Sequence, residues 1–391
     1  MYKLKRNIWV DYLRSAITVL VIAHHSSLAY TTFAWFDKDV YINSTHPIVD
    51  KVRWVGLDIF QNFNDVFFMS LMFLIGGLFL MKSINKKGIF NFIRDRFYRL
   101  FIPFIFLGTF FMLIAYFPSY YIAHNNLDII AYIKDFFIIE KWPAGPPWFV
   151  GVLFFFNLLF ALLLSNFQKT SKKIGKRLSG LKNRPLTFFG LLLIITWILY
   201  VPLAYKIGSG NWTGIGPFAF QTSRILLYFG YFILGILIGN TDFNNDIFSV
   251  KSVIIKKWWL WLTLSVGVYS FLTIIEDPLT ELVKNKRIEE FNAWMIYYAI
   301  YTASCTLSSI AFITMFRRFI STERNWWNSL SENAYLIYIV HFIFILWSQF
   351  LLMKFNIPAF FKFLITFTVS LSLSWIVSKW LRKIKIINKY V

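Results

Sequence analysis

The sequence predicts an all-α polytopic membrane protein with about ten transmembrane helices and both termini in the cytoplasm, and three observations carry that reading. First, of 391 residues, 58% are hydrophobic and 21% aromatic, and only 15% are charged. A soluble domain has about 25% charged and about 45–50% apolar residues, so this chain cannot clothe a water-facing surface and its apolar excess needs lipid. Second, the apolar residues fall in long runs, each near the roughly 20 residues that a spanning helix requires. Third, the basic residues alternate between the two sides that those runs define.

In chain order the runs cover about 10–33, 64–81, 100–117, 148–165, 186–204, 222–239, 258–275, 293–315, 333–352 and 361–380. Connectors between them carry the residues that end helices, such as Pro143-Ala144-Gly145-Pro146-Pro147 before the fourth run and Gly208-Ser209-Gly210-Asn211 before the sixth. Lys3, Lys5 and Arg6 resemble the basic start of a signal peptide. The run behind them holds Asp11, Arg14, His24 and His25 and has no small-residue cleavage site, so it reads as a retained first helix. No repeat and no polar block long enough to fold alone interrupts residues 1–391, which read as one transmembrane domain without a fused soluble domain.

With the N-terminus inside, the connectors assigned to the cytoplasm hold 28 Lys and Arg against 6 acids, and the outer ones 12 against 13. Lys and Arg are retained on the cytoplasmic side, so the net charge of +21 is a topology signal concentrated on one face. It fits membrane lipids as partners, with anionic headgroups on the inner leaflet, and excludes nucleic acid. The single cysteine, Cys305, rules out an internal disulfide and a multi-cysteine metal site, and in its apolar stretch it reads as a packing residue. No metal and no bound cofactor is expected.

Ionisable residues inside a span are costly and mark function by default. Of five histidines, His24, His25 and His341 fall within the runs. Arg14 and His25 are 11 positions apart, about three helical turns, which leaves them about 20° apart on the wheel with His25 about 16 Å deeper. Asp11, Arg14, Thr18 and His25 thus form one stripe, and His24 points about 100° away. An anion entering from the cytoplasm would meet the Arg14 fork, which suits phosphate, and His25 lies where it can accept a proton from a second substrate arriving from outside. The plainer alternative has Asp11 and Arg14 anchoring the helix at the headgroups, with both histidines bonded to neighbouring helices. In the ninth run Tyr335, Tyr338 and His341 follow at three-residue steps along one face, with His341 about one-third to halfway along. Arg94, Arg96 and Arg99 orient the third run, and Arg96 and Arg99 can also meet phosphate at the cytoplasmic mouth.

These residues resemble the acyltransferase-3 family of bacterial membrane O-acyltransferases. Arg14 and His25, within Asp11-Tyr12-Leu13-Arg14 and His24-His25, are similar to its first helix, and Phe73-Leu74-Ile75-Gly76-Gly77-Leu78-Phe79 to its second. Arg96-Phe97-Tyr98-Arg99-Leu100 with Pro103 resembles its RxxRLxxP run, Pro147-Trp148-Phe149 opens the fourth span, and Tyr335 to His341 is similar to its YxxYLxH helix. Gly76 departs from the pattern, which commonly has serine there. The Gly145-Pro146-Pro147-Trp148 run and the paired histidines are similar to the branch that modifies periplasmic glucans.

The resemblance implies transfer of an acyl group, acetyl or succinyl in type, from acyl-coenzyme A to a hydroxyl of an extracytoplasmic glycan or lipid-linked saccharide, in the cytoplasmic membrane of a bacterium. On that reading acyl-coenzyme A is the donor substrate, held by Arg14, Arg96 and Arg99. His25 is the general base or transient acyl carrier, and Asp11 orients Arg14. His24, Trp148, Tyr338 and His341 are helpers or acceptor contacts, with Trp148 and Trp212 also suited to plain interfacial anchoring. The rival from another class is a transporter or flippase for a glycan or lipid-linked intermediate. The sequence shows neither the inverted repeat nor the paired broken helices that such a carrier uses.

Overall fold

The computed structural model describes residues 7–390, without the side chains of 164–166 and 386. Lys3, Lys5 and Arg6 lie outside the described residues. The chain is nearly all helix: α1 (Ile8–Leu28), α2 (Val55–Gly77), α3 (Leu80–Lys87), α4 (Ile89–Arg96), α5 (Thr109–His124), α6 (Ile129–Ile138), α7 (Trp148–Ser179), α8 (Pro185–Ile207), α9 (Ile225–Gly239), α10 (Val253–Lys256), α11 (Trp258–Lys284), α12 (Glu290–Phe319), α13 (Asn325–Leu352), α14 (Ala359–Leu381) and α15 (Lys385–Tyr390). The sheet is a two-stranded antiparallel ribbon in the connector after α8, pairing β1 (Trp212–Thr213) with β2 (Phe220–Gln221).

Every expected run falls on a helix. By length and composition, 8 helices among the described residues suit a membrane crossing, and up to 9 if Trp148–Leu163 and Phe167–Asn183, which meet at 109°, form one bent span. The tenth expected span is α1. It is a 21-residue helix, but Asp11, Arg14, His24 and His25 dilute its apolar content and keep it outside that set. It is also among the most enclosed helices, packed against α2, α13 and α14, as a helix with polar side chains must be when its surroundings are lipid.

Two devices hold the bundle together. Between α2 and α9 the backbones touch: a methyl at Gly235 would fall on the carbonyl oxygen of Leu74, and one at Gly239 on that of Leu78. Glycines four apart on one helix face permit this approach, which in lipid replaces the hydrophobic drive that water would supply. The other device stitches the third span, Ile89–His124, to α13. A proline has no N–H to give the carbonyl four residues earlier. Pro103 thereby frees the oxygen of Arg99, and Tyr335 donates its hydroxyl to it at 2.9 Å. Pro118 likewise frees the oxygen of Ile114, and the Trp347 indole N–H donates to it at 2.9 Å. Around Pro103 the helix widens into π-helical turns over Phe97–Phe101 and Pro103–Gly108, a distortion often found at functional sites.

The outer connectors fold down onto the bundle. Lys362 meets Asp50 at 2.6 Å, with both side chains buried. His46 is bonded to Gln349 at 2.8 Å, and Ser119 donates to the oxygen of Pro47 at 2.6 Å.

Candidate functional site

The helix α1 lies beside α13 in a parallel register. Tyr12 bonds Asn328 at 2.8 Å and Ser15 meets Ser331 at 3.0 Å, each pair separated by 316 residues, and His25 meets His341 at the same offset with ring centroids 5.6 Å apart. A constant offset means that the two helices run in one direction, so both histidines sit at one depth. The α13 helix begins at Asn325, earlier than the expected 333, which places His341 just past its middle rather than in its first half. The extra turns carry Asn328 and Ser331, polar residues that α1 satisfies.

A cavity of about 390 Å³ opens on the basic side between α1, α2, the third span and α13, within the range of small-molecule sites. Asp11, Arg14, Arg96, Arg99 and Tyr338 all line it, so five of the site residues named from the sequence converge there. Arg14 is half-exposed and lies 3.4 Å from Asp11. Arg99 is held by Asp95 at 3.0 Å, and the Arg96 guanidinium lies over the Phe92 ring at 5.1 Å. The carboxylates of Asp11 and Glu332 share the lining with the three guanidinium groups, of which Arg14 and Arg99 are about half-exposed and so can turn N–H donors to an anion. Gly76, where the family commonly has serine, is part of the wall, and a methyl there would crowd Leu153.

The histidines lie beyond the cavity rather than on it. Tyr338 is the link: its ring faces the cavity, its hydroxyl donates to the oxygen of Pro146, and its own carbonyl lies 2.7 Å from His341 Nδ1. A carbonyl only accepts, so Nδ1 carries the proton and Nε2 of His341 is left with a lone pair. That Nε2 is buried with no partner among the described residues, as is Nδ1 of His25. His341 and His24 are sealed, whereas His25 keeps some accessible surface. The two consecutive histidines face apart. His25 lies against His341 and Phe342, and His24 against Phe68 of α2.

Trp148 does not join this group. It packs edge-on against Trp212 at 5.5 Å and lines a separate cavity of about 490 Å³, walled by apolar residues such as Phe155, Leu159 and Phe218. Among the described residues no three His, Cys, Asp or Glu side chains gather to hold a metal ion. Sequence reasoning passed over His46 and the pair of half-buried Asp65 with buried Arg224, which meet at 2.5 Å across 159 residues. An acid in the second span was the available signal, since a charge there implies a partner.

Residues 7–379 match the family model described as an acyltransferase domain. The chain belongs to that family. Neither the curated proteins nor the solved structures gave a match. As a member of the acyltransferase family the protein is a membrane-embedded enzyme, and the match runs from α1 through α14, so it takes in every residue of the site. An acyltransferase needs a place for an activated acyl donor and a base for the acceptor. The arginine-lined cavity and the histidines behind Tyr338 have the chemistry for each.

Proposed function

We propose that this acyltransferase moves an acetyl- or succinyl-type group from acyl-coenzyme A on the cytoplasmic side to a hydroxyl of an extracytoplasmic glycan or lipid-linked saccharide, in the cytoplasmic membrane of a bacterium. The observation that carries the reading is the convergence of Arg14, Arg96 and Arg99 on one cavity whose inner end, Tyr338, is joined to the His341–His25 pair. The guanidinium groups hold the donor's phosphates, with Asp11 steering Arg14. Its pantetheine arm runs along α1 and α13, which brings the thioester towards His25. His25 takes the proton of the acceptor hydroxyl as the oxygen attacks the thioester carbon, and coenzyme A leaves as the thiolate. In the alternative route His25 takes the acyl group first and then passes it to the hydroxyl.

The test is release of free coenzyme A from acetyl- or succinyl-coenzyme A by the purified chain, together with mass spectrometry of surface glycans. His25→Ala is expected to abolish both while the protein still inserts and purifies normally. Full activity in that variant refutes the role of His25. A carrier protein would leave the thioester intact in both forms.

A further inference from the structure

On the outer half of α2, Gln61, Asn64 and Asp65 follow at three- and four-residue spacing and so share a helix face. Asp65 pairs with Arg224 at the start of α9, Nη2 to Oδ2 at 2.5 Å and Nη1 to the Asp65 carbonyl at 2.9 Å. Around this pair several buried atoms have no partner among the described residues: Oε1 of Gln61, both Oδ1 and Nδ2 of Asn64, and Nε of Arg224. Asn64 is 1% and Arg224 5% exposed, so these atoms belong to the interior and not to an ordinary solvated surface. Buried polar atoms are nearly always bonded, and a cluster that is not calls for an occupant. Asp65 is the way in, with 34% of its side chain accessible. Asp65 and Arg224 are also within electrostatic reach of His24.

We propose that Gln61, Asn64, Asp65 and Arg224 form the acceptor subsite, and that it takes a neutral polyhydroxyl molecule. The unpartnered set contains donors and acceptors side by side, which matches hydroxyls, since each donates and accepts. An anion would face the Asp65 carboxylate and the Gln61 oxygen, and an organic cation would face Arg224. Seven residues further along α2, about 10 Å, Met72 lines the arginine cavity. The two subsites therefore abut one helix, with His24 and Phe68 packed between them at 5.0 Å. His24 borders the acceptor side, and the ring of His25 lies 5.2 Å from it and against His341 of α13.

This inference rests on the acyl-transfer reading, and one experiment separates the two. The full chain is purified in lauryldimethylamine oxide, which has no sugar headgroup, and coenzyme A release from acetyl-coenzyme A is titrated with methyl glucoside as the hydroxyl probe. In the wild type, release rises and saturates with glucoside. Combining Gln61→Leu with Asn64→Leu raises the half-saturating glucoside concentration at least tenfold, as expected for two lost hydrogen bonds, while half-saturation by acetyl-coenzyme A moves less than twofold. Asn64→Ala alone serves the same comparison if the double variant is not recovered. Unchanged glucoside dependence in the variants, or release that ignores glucoside in the wild type, overturns the acceptor subsite alone. No release by the wild type from either acetyl- or succinyl-coenzyme A overturns the acyl-transfer reading, and this inference with it.

Discussion

His341 has a tautomer set by its surroundings: Nδ1 is spent on the Tyr338 carbonyl, and the bare Nε2 faces the interior. On the proposed mechanism, such a carbonyl-oriented imidazole would serve as a second base beside His25 or assist its proton transfer. His341→Ala is therefore expected to lower kcat by about 10²-fold, the low end for a positioned acid–base group, with the KM for the donor unchanged, as steady-state kinetics will show. Arg14→Lys keeps the charge but loses the fork, and should raise donor KM about tenfold with kcat little altered.

His46 gives a pH signature. Gln349 donates its amide to the carbonyls of His25 and Ser26, so its Oε1 must accept from His46 Nε2. Burial pushes His46 down from 6.5 to about 4, against the pull of that bond. The unfolded chain therefore binds a proton there before the folded one does, and stability falls as pH drops from about 6.5 to about 4. Glu140, raised by burial, changes with the opposite sign, so the measurement is the difference in Tm against pH between wild type and His46→Gln. The wild type should lose its advantage across that window.

At the level of elements, helix positions were legible in the sequence because lipid demands apolar length, and the Arg14–His25 stripe because 3.6 residues per turn puts 11 positions nearly in line. Neighbourhood was not legible. The Asp65–Arg224 pair, the His25–His341 contact and the diversion of Trp148 to another cavity depend on which helices lie side by side, and lipid-facing periodicity carries no partner information. The α2–α9 contact shows the same limit, since Gly235 and Gly239 are ordinary glycines until Leu74 and Leu78 are placed against them. Gly235→Val is expected to force the two helices apart and lower Tm by several degrees, with Arg224 and Asp65 displaced as α9 moves. The matching change at Gly190, which meets nothing within 4 Å, should be nearly silent in the same thermal assay.

For the whole molecule, the connectors opposite the basic side are pinned to the bundle and give that face a fixed shape. One tie is the ion pair of Lys362 with Asp50, 1% and 3% exposed. Removing one partner strands the other charge, which costs about 3–5 kcal/mol, whereas replacing both by apolar residues is often neutral. Asp50→Leu alone should thus destabilise strongly, and Asp50→Leu with Lys362→Met should recover most of the loss. A double-mutant cycle in detergent unfolding measures both. The Lys and Arg tally makes a charge asymmetry between the two faces legible in the sequence, while this pair, one charge in the connector before α2 and one at the start of α14, was not legible there.

The two proline-freed carbonyls bear on how the protein is made. The third span leaves the translocation machinery with the oxygens of Arg99 and Ile114 unserved by its own helix, the first at the mouth of the cavity and the second within the span, where hydrocarbon offers it nothing. Their donors, Tyr335 and Trp347, belong to a segment synthesised more than 200 residues later. Until α13 arrives, the outer part of that span must shelter against other protein or a chaperone rather than face lipid, and the arginine-lined cavity is complete only once α13 has been made. Halting synthesis before α13 should leave Ile89–His124 selectively open to protease or to a membrane-restricted crosslinker, and extending synthesis through Leu352 should close it.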